Sequence, residues 1–458
     1  MREVLEAAVE KALEAGASYA EARFSKVFSN RIEVRRGRVE RVVPSVEVAG
    51  SVRCLVRTWG FASTTRLDRE SMLDAATRAA KLAKAVSTGP CSEVRLAEVP
   101  SVEEEIGMGD VVDPRAIPID EKLEVVLACD EAARSVDDRV IMTRLSYEDF
   151  VVIRAFCNSE GTYVAEACPV TQLRIAITAK EGANVQTTTG RLSAAAGQEL
   201  MAYGDPVGMA ERLAKRAVEL LSAGKAPGGK MKVLVDNSVA GLIALCVGLL
   251  ASAELAMVPG GELSAFHGKL GQQVASECLN ITDDPAAEGL TVAMHYDEEG
   301  VRARPVRLVE QGRLVSYLHT RSTANVMGQE PNGRARAPSA LFTPTPLNTN
   351  TVVEPGDRSL EELLEELGEG LYVIGLVGAS IGRAVHCDCE AAYEIRGGEL
   401  KRAFRAVGIT LDLTEDLKKV EAVGSDFDVV SLTLSERDRS YPVCGGAPHL
   451  LFGEVAVR

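Results

Sequence analysis

The chain has 458 residues, of which 46% are hydrophobic and 26% are charged, and its formal net charge is −15. This length exceeds what one ordinary hydrophobic core organises, so two domains are expected. The acidic surface repels nucleic-acid phosphates, and direct nucleic-acid binding is therefore not expected.

The cysteines and the most apolar segment indicate where in the cell the protein is expected. The ten cysteines follow no regular disulfide framework, and residues 1–16 form an amphipathic pattern rather than an apolar signal core. Reduced thiols and a cytoplasmic location are therefore expected. The uncharged run from Asn237 to Ala253 is just under the roughly 20 residues that cross a bilayer. Because it lacks basic flanks and an aromatic belt, a buried helix is predicted and no membrane association is expected.

The first half of the chain is predicted to mix helices with strands. Hydrophobic periodicity distinguishes the two, since helices repeat near 3.6 residues and strands alternate. The predicted elements are a helix over 2–15, strands between 19 and 64, a helix over 68–87, an irregular crossing over 88–118, a helix over 119–136, strands over 139–156, 162–180 and 184–197, and a helix over 206–224. The second helix is expected to begin at Asp68 or Ser71. The alternation of Arg with Val in 35–43 predicts a half-exposed strand.

A glycine–proline cluster at 224–230 marks the predicted domain boundary. The predicted domains are 1–225, a mixed α/β domain with a mainly antiparallel sheet, and 226–458, a strand-rich domain. In the second domain the strands are interrupted by the apolar segment and by a helical pattern over 358–370. The fold class predicted for both halves is α+β.

Six phrases stand out along the chain. They are GASYAEARF (16–24), VRTWGFAST (56–64), SAFHGKLGQQVAS (264–276), TDDP (282–285), DEEGVRARPVRLVEQGRLVSYL (297–318) and PLNTNTVVEPGDRSLEELLEELGEGLYV (346–373). In this order they resemble the TldD/PmbA (TldE) family, also described as modulators of DNA gyrase and as a peptidase family. The resemblance extends over nearly the whole chain.

The resemblance implies a metallopeptidase setting. In the family's active TldD subunit, a helix carries HExxxH, in which two histidines bind zinc and the glutamate acts as general base on metal-bound water. A cysteine near the C-terminus supplies a third ligand. TldD pairs with a TldE partner that lacks the metal motif, and the substrates are unfolded peptides held in extended form.

In this chain the three motif positions are occupied by Ala244, Leu245 and Leu249. Hydrocarbon side chains offer no lone pair to zinc and accept no proton from water. A catalytic helix rebuilt as core is therefore predicted, with no catalytic residue, metal or cofactor in this chain. By the resemblance, Cys444 stands at the third ligand position; the simpler interpretation is a small residue packed in a turn.

A rebuilt metal site is the main rival interpretation. The run HCDC at 386–389 contains soft sulfur and imidazole donors, although its spacing is not that of a structural zinc site. On an alternating strand its two cysteines would share one face, with the histidine and aspartate on the other. The candidate ligands for such a site are His386, Cys387, Cys389, Cys444 and His449.

The other histidines and one acidic pair are expected to be structural. His267, His295 and His319 have no partner at ligand spacing. Asp283 and Asp284 precede a proline, so a turn-forming role is predicted for both.

Three functional hypotheses follow. The favoured one is a TldE/PmbA-like, metal-free subunit of a TldD/TldE-type peptidase complex. Its partner would be a TldD-like HExxxH-bearing homologue that holds the zinc, or a second copy of this chain, and its ligand an unfolded peptide. The alternatives are a stand-alone metallopeptidase with the displaced ligands above, and a non-enzymatic scaffold or regulator of the gyrase-modulator type.

Overall fold

A computed structural model describes residues 1–90, 92–258, 265–286, 289–382, 384–436 and 439–458. The helices are α1 (Arg2–Glu14), α2 (Arg69–Ser87), α3 (Ile119–Ser135), α4 (Leu200–Tyr203), α5 (Pro206–Glu219), α6 (Asn237–Leu250), α7 (Ala253–Met257), α8 (Arg321–Met327), α9 (Leu360–Leu367) and α10 (Leu413–Asp416). Short 3₁₀ turns cover Pro114–Ala116 and Leu417–Lys419.

The strands fall into two groups along the chain. In the first half they are β1 (Tyr19–Arg35), β2 (Arg38–Leu55), β3 (Trp59–Thr64), β4 (Glu103–Ile106), β5 (Val140–Asn158), β6 (Tyr163–Glu181) and β7 (Asn184–Ala194). In the second half they are β8 (Gly224–Lys225), β9 (Gly229–Val235), β10 (Ile281–Asp283), β11 (Val306–Glu310), β12 (Arg313–Leu314), β13 (Ala335–Arg336), β14 (Thr345–Pro346), β15 (Asn350–Val353), β16 (Glu369–Ile381), β17 (Val385–Arg396), β18 (Glu399–Leu411), β19 (Val420–Val423), β20 (Asp428–Glu436), β21 (Arg439–Ala447) and β22 (Leu450–Val457).

The first half forms one seven-stranded sheet with helices on one face. Its order is β3-β2-β1-β5-β6-β4, with β7 also paired to β6, and only the β4–β6 pair is parallel. Alternation puts Leu173, Ile175 and Ile177 into a core with α3 and α5. Farther along the same sheet, α1 and α2 cover a second core. In the described part of the chain no helix packs on the opposite face, which is directed toward the second half, as the contacts of Arg23 with Glu298 and of Thr189 with Glu390 show.

The second half contains a closed ring of strands. Strand β22 pairs with both β9 and β18, and β9, β16, β17 and β18 pair in succession, which completes a five-stranded barrel. Strands β19 and β8 extend this sheet. Closure leaves the barrel strands without a free edge among themselves and encloses an apolar core.

A third sheet lies beside the barrel. Its order is β12-β11-β10-β15-β21-β20, and β15 is parallel to β21. Helix α6 lies between the two, packing on β15, β20 and β21 on one side and on β9 and β16 on the other. Apolar surroundings on both sides explain why this helix is hydrophobic around its whole circumference.

The α+β class, the antiparallel first-half sheet and the strand-rich second half are confirmed. The prediction of irregular structure over 88–118 is wrong at 103–106, where β4 pairs with β6. The sequence of β4, EEEI, lacks the alternation of a strand because β4 lies at the edge of the sheet. The sequence also gave no indication of α8. Strand structure in 35–43 is confirmed, since Arg35 ends β1 and residues 38–43 begin β2 after a turn at 36–37, but the predicted half exposure is wrong because residues 38–43 are exposed on both faces. The domain division at residue 225 stays a prediction.

Among the described residues, no helix is both long and apolar enough to cross a bilayer. The apolar segment instead forms α6, in which every residue from Val239 to Leu250 is buried. The predicted buried helix is thereby confirmed.

Candidate functional site

Helix α6 is fixed at its start by one carboxylate. Asp236 Oδ1 accepts a hydrogen bond from the Val239 N–H at 3.1 Å, as an N-cap residue does. The other oxygen accepts from the Gly375 N–H at 2.8 Å. Asp236 therefore ties the helix to β16 of the barrel and sets the rotation of its side chains.

The three motif positions on α6 lie in hydrocarbon. Ala244 is fully buried in the barrel-side core. Leu245 and Leu249, at 1% and 7% exposure, pack with Leu347, Tyr441 and Val443. None of these three side chains offers zinc a donor, because aliphatic groups have no lone pair. The residues present at these positions do not fit a metal ion.

Close backbone packing also fills the space around α6. A Cβ added at Gly248 would lie 2.1 Å from Thr351 Oγ1 and 2.8 Å from Asn348 Nδ2. Asn348 Nδ2 donates to the Leu245 carbonyl at 3.4 Å and to Thr351 Oγ1 at 2.9 Å. The helix therefore lies directly against a polar network in the neighbouring sheet.

Asp283 is the centre of that network. It pairs with Arg334 at 2.6 Å, and both side chains are fully buried. Asp283 also accepts from Thr349 Oγ1 at 2.6 Å and from Thr351 Oγ1 at 3.0 Å. The predicted turn role is wrong for Asp283, which ends strand β10. It holds for Asp284, whose Oδ1 accepts from the Ala286 N–H at 2.9 Å.

The predicted turn at Cys444 is wrong, because the residue lies within strand β21 and pairs with Ser431 of β20; its thiol is directed away from α6. Val443 packs on the leucines of α6, and a Cβ at Gly241 of the helix would lie 2.8 Å from the Gly445 carbonyl oxygen. Alternation puts Cys444 on the other face of the strand, beside Thr291 and Ser431. Burial raises the pKa of the Cys444 thiol. The structure therefore does not bring Cys444 together with the three motif positions.

The HCDC run alternates along β17 as the sequence indicates. Cys387 and Cys389 are buried in the barrel core, whereas His386 is half-buried and Asp388 is exposed. Burial raises the pKa of Cys387 to about 12 and also raises that of Cys389. His386 Nδ1 lies 2.9 Å from Thr410 Oγ1. The thiols are held protonated on one face and the imidazole is bound on the other.

His449 has both ring nitrogens engaged. Its Nδ1 lies 2.6 Å from Asp426 Oδ2, and its Nε2 lies 2.8 Å from the Tyr372 hydroxyl. These contacts tie β22 to β16 and leave no free lone pair for a metal. In the described part of the chain, no group of three or more His, Cys, Asp or Glu side chains is arranged to hold a metal ion.

The remaining histidines make structural contacts. His267 Nδ1 contacts the Ala256 carbonyl oxygen. His295 Nδ1 lies 3.3 Å from Glu166 Oε2. His319 is buried, and desolvation lowers its pKa to about 4, so its ring is neutral.

A set of ion pairs joins the two halves of the chain and was not anticipated. Arg53 Nη2 pairs with Glu299 Oε1 at 2.6 Å, and Arg53 Nε pairs with Glu21 Oε1 at 2.7 Å. Arg23 pairs with Glu298 at 2.9 Å. Glu298 and Glu299 lie in the segment 297–318 that contributes to the family resemblance. Arg23 lies in the segment 16–24, and Arg53 lies just before the segment 56–64. The charged residues in and beside these segments were the signal that could have indicated ion pairs. The partners are more than 240 residues apart in sequence, so the sequence did not show which residues pair.

Three family models match this chain in succession. They are described as PmbA/TldA metallopeptidase domain 1, over residues 20–83, the central domain, over 112–221, and the C-terminal domain, over 228–458.

Relatives of known name match over most of their lengths. A protein from Methanocaldococcus jannaschii, named as a metalloprotease, is 30% identical, with 96% of each chain covered. A zinc metalloprotease TldD homolog from Saccharolobus solfataricus is 25% identical, with 98% of each covered. The crystal structure of TldE from Thermococcus kodakarensis superposes with a TM-score of 0.78 at 18% identity, covering 99% of each chain, and thus shares the fold.

Proposed function

The chain belongs to the PmbA/TldD metallopeptidase family, and from that premise we propose that it is the metal-free, TldE-like subunit of a two-subunit peptidase. Its partner is an HExxxH-bearing homologue that holds zinc and performs hydrolysis. This chain completes the enclosure and holds unfolded peptide in extended form.

One observation carries the proposal. The helix that bears the zinc ligands and general base in active family members carries Ala244, Leu245 and Leu249 here, and these side chains are buried in two apolar clusters. None of these three side chains can bind a metal ion that acts as a Lewis acid, and none can accept a proton as a general base. The peptide-holding role is supported by β20, an end strand that pairs within its sheet only with β21 among the described residues, so that its other edge permits strand addition.

The test begins with the isolated chain. Purified protein is expected to contain far less than one equivalent of zinc by elemental analysis and to cleave no unfolded peptide. Mixing it with the HExxxH homologue from the same organism is expected to give a stable complex that cleaves peptide, with the zinc on the homologue.

Two variants separate this proposal from the rebuilt metal site. Cys444→Ser and His386→Ala are expected to leave the zinc content of the chain and the activity of the complex unchanged. One tightly bound zinc per isolated chain, with chelator-sensitive hydrolysis lost in Cys444→Ser, would overturn the proposal in favour of a stand-alone peptidase. A complex formed only with topoisomerase would favour the regulator.

A further inference from the structure

Two arginines lie side by side on the helix-free face of the first-half sheet. Arg174 on β6 stands directly opposite Arg191 on β7, which places their Cβ atoms about 5 Å apart. Leu173 and Ile175, on either side of Arg174, pack toward the helices. Alternation therefore directs both guanidinium groups toward the second half of the chain. Both side chains are half-buried.

Among the described residues, neither guanidinium group forms an ion pair with a carboxylate, although the nearby charge of Glu148 acts to raise the pKa of Arg191. Within the described residues, Arg174 Nε is buried without a hydrogen-bond partner. Arg191 Nη1 donates to the backbone carbonyl of Ser431. Burial, followed by the charge of Arg174, lowers the pKa of Arg191 to about 10. Like charges directly opposite each other on a sheet destabilise it, so the pair is maintained at a free-energy cost.

The neighbouring carboxylates are already engaged. Glu148 pairs with Arg31 and accepts a hydrogen bond from Gln172. Glu33, in the same row of the sheet as Arg174, pairs with Arg41 at 3.7 Å. Arg31, Arg174 and Arg191 each carry a positive charge in this patch, and Glu148 carries a negative one. The patch therefore has an excess of positive charge, although the chain as a whole is strongly acidic.

The pair lies where two sheet edges meet. Strand β7 ends the first-half sheet and β20 ends the third sheet, and the contact from Arg191 to Ser431 joins them. Ser431 stands opposite Cys444 on the next strand. The β7 edge itself is occupied by hydrogen bonds to Glu390, Leu290 and Thr291. Arg174 and Arg191 nevertheless keep part of their surface exposed, so the carboxylate of a peptide that reaches this junction can contact both guanidinium groups.

We propose that Arg174 and Arg191 form a receptor for a carboxylate of the bound peptide, supplied by its C-terminus or by an Asp or Glu side chain. A guanidinium fork binds a carboxylate through two parallel hydrogen bonds, and an anion between the two arginines would relieve their mutual repulsion. This assignment rests on the peptide-holding function proposed above and adds the class of peptide that is preferred.

Three peptides test the receptor. They are a short fluorescein-labelled peptide of alanine, valine and serine with a free C-terminus, its C-terminal amide, and the amide with one internal aspartate. Fluorescence anisotropy is recorded with the isolated chain and with its purified complex. The free-acid or the aspartate peptide is expected to bind about tenfold more tightly than the plain amide, and whichever does identifies the source of the carboxylate.

Variants assign the effect to the arginines. Arg174→Gln and Arg191→Gln are expected to remove the tenfold preference and leave binding of the plain amide unchanged. Arg174→Lys, which keeps the charge but not the fork, is expected to retain part of it. Arg144→Gln is the matched control, because Arg144 also faces an arginine across the strand pair, Arg35, but is exposed.

The outcomes separate the two proposals. Equal affinity for all three peptides, or an unchanged preference in both glutamine variants with native thermal unfolding, would overturn the receptor and leave peptide holding intact. Failure of the unaltered chain and of its complex to bind any peptide would overturn both.

Discussion

Leucine at positions 245 and 249 changes the chemistry available to α6 without changing its place in the fold. Both side chains contribute to a small apolar cluster with Leu347, Tyr441 and Val443. Contacts of this kind stabilise the native state through burial, at about 2 kcal/mol for a fully buried leucine. The helix thus contributes stability at the positions that the resemblance aligns with the metal motif.

We expect Leu245→Glu to destabilise the protein. The carboxylate would enter a site that is 1% exposed and apolar, so the free energy of unfolding should fall by about 4 kcal/mol. Urea denaturation measures the change, and Leu245→Met, which preserves volume, is the control, with a loss below about 1.5 kcal/mol. Wild-type stability together with zinc uptake in the triple variant Ala244→His, Leu245→Glu and Leu249→His would contradict the packed interpretation.

Asp283→Asn is expected to lower the free energy of unfolding by about 3 to 5 kcal/mol, because it leaves the Arg334 charge buried without its partner. Asp284→Asn, one residue away, should change it by about 0.5 kcal/mol or less, since asparagine also accepts the hydrogen bond from Ala286. Equal effects of the two substitutions in chemical denaturation would show that the buried pair does not dominate here.

At the scale of elements, α6 combines helix formation with unusually close packing. Its cap, Asp236, and its uninterrupted apolar sequence are local features that predict a helix from sequence. Its approach to the third sheet is a tertiary feature, because Gly248 has to lack a side chain for Thr351 to fit. Local helix propensity and the packing requirement therefore conflict at this residue.

Gly248→Ala tests which of the two prevails. Alanine favours helix by about 1 kcal/mol over glycine, but its Cβ would lie 2.1 Å from Thr351 Oγ1, and overpacking costs about 1 to 3 kcal/mol. We expect a net loss of thermal stability in calorimetry. Gly378→Ala is the control: a Cβ there meets nothing within 4 Å, so the melting temperature should be unchanged or slightly higher. A higher melting temperature in Gly248→Ala would show that the neighbouring sheet moves to accommodate the added methyl group.

The strands were predictable to different degrees. Alternation located β17 and correctly put its two cysteines on one face. It did not reveal β4, which contains no buried residue and is defined as a strand by its pairing with β6. For Cys444 the sequence indicated a turn, whereas the residue lies within β21. Its facing was also not predictable, because only the packing of Gly241 against Gly445 determines which side of β21 meets α6.

At the scale of the whole molecule, buried charge joins the two halves. Arg23 and Arg53 from the first-half sheet meet Glu298 and Glu299 from the second half. Removing one partner of a buried pair costs more than the pair contributes. These contacts therefore fix the relative orientation of the halves, and with it the position of the Arg174–Arg191 patch beside β20.

The contact of His295 with Glu166 also bridges the halves and makes their association pH-dependent. The hydrogen bond to Glu166 raises the pKa of His295 above 6.5. The pKa of Glu166 lies below 4.5, because the charge of Arg154 and the contacts with His295 outweigh burial. The carboxylate's contribution is lost as pH falls through its lowered pKa. The imidazolium's contribution is complete below 6.5 and is lost as pH rises through its raised pKa.

We therefore expect the stability difference between the unaltered chain and His295→Ala to be largest between pH 4.5 and 6.5 and to decline on both sides. Chemical denaturation over a pH series measures it, and added salt should reduce it because His295 is half exposed. A double-mutant cycle with Glu166→Gln isolates the pair. A coupling energy that does not vary with pH would contradict the assignment.

The sequence by itself determined the fold class, the family resemblance and the absence of donor groups at 244, 245 and 249, because these depend on side-chain chemistry and on local periodicity. Only the tertiary structure decided that Asp283 is buried against Arg334, that Cys444 faces away from α6 and that Arg174 lies opposite Arg191 without a counterion in the described chain. Each of these depends on strand register or on contacts between residues distant in sequence, and a one-residue change in register exchanges the two faces of a strand.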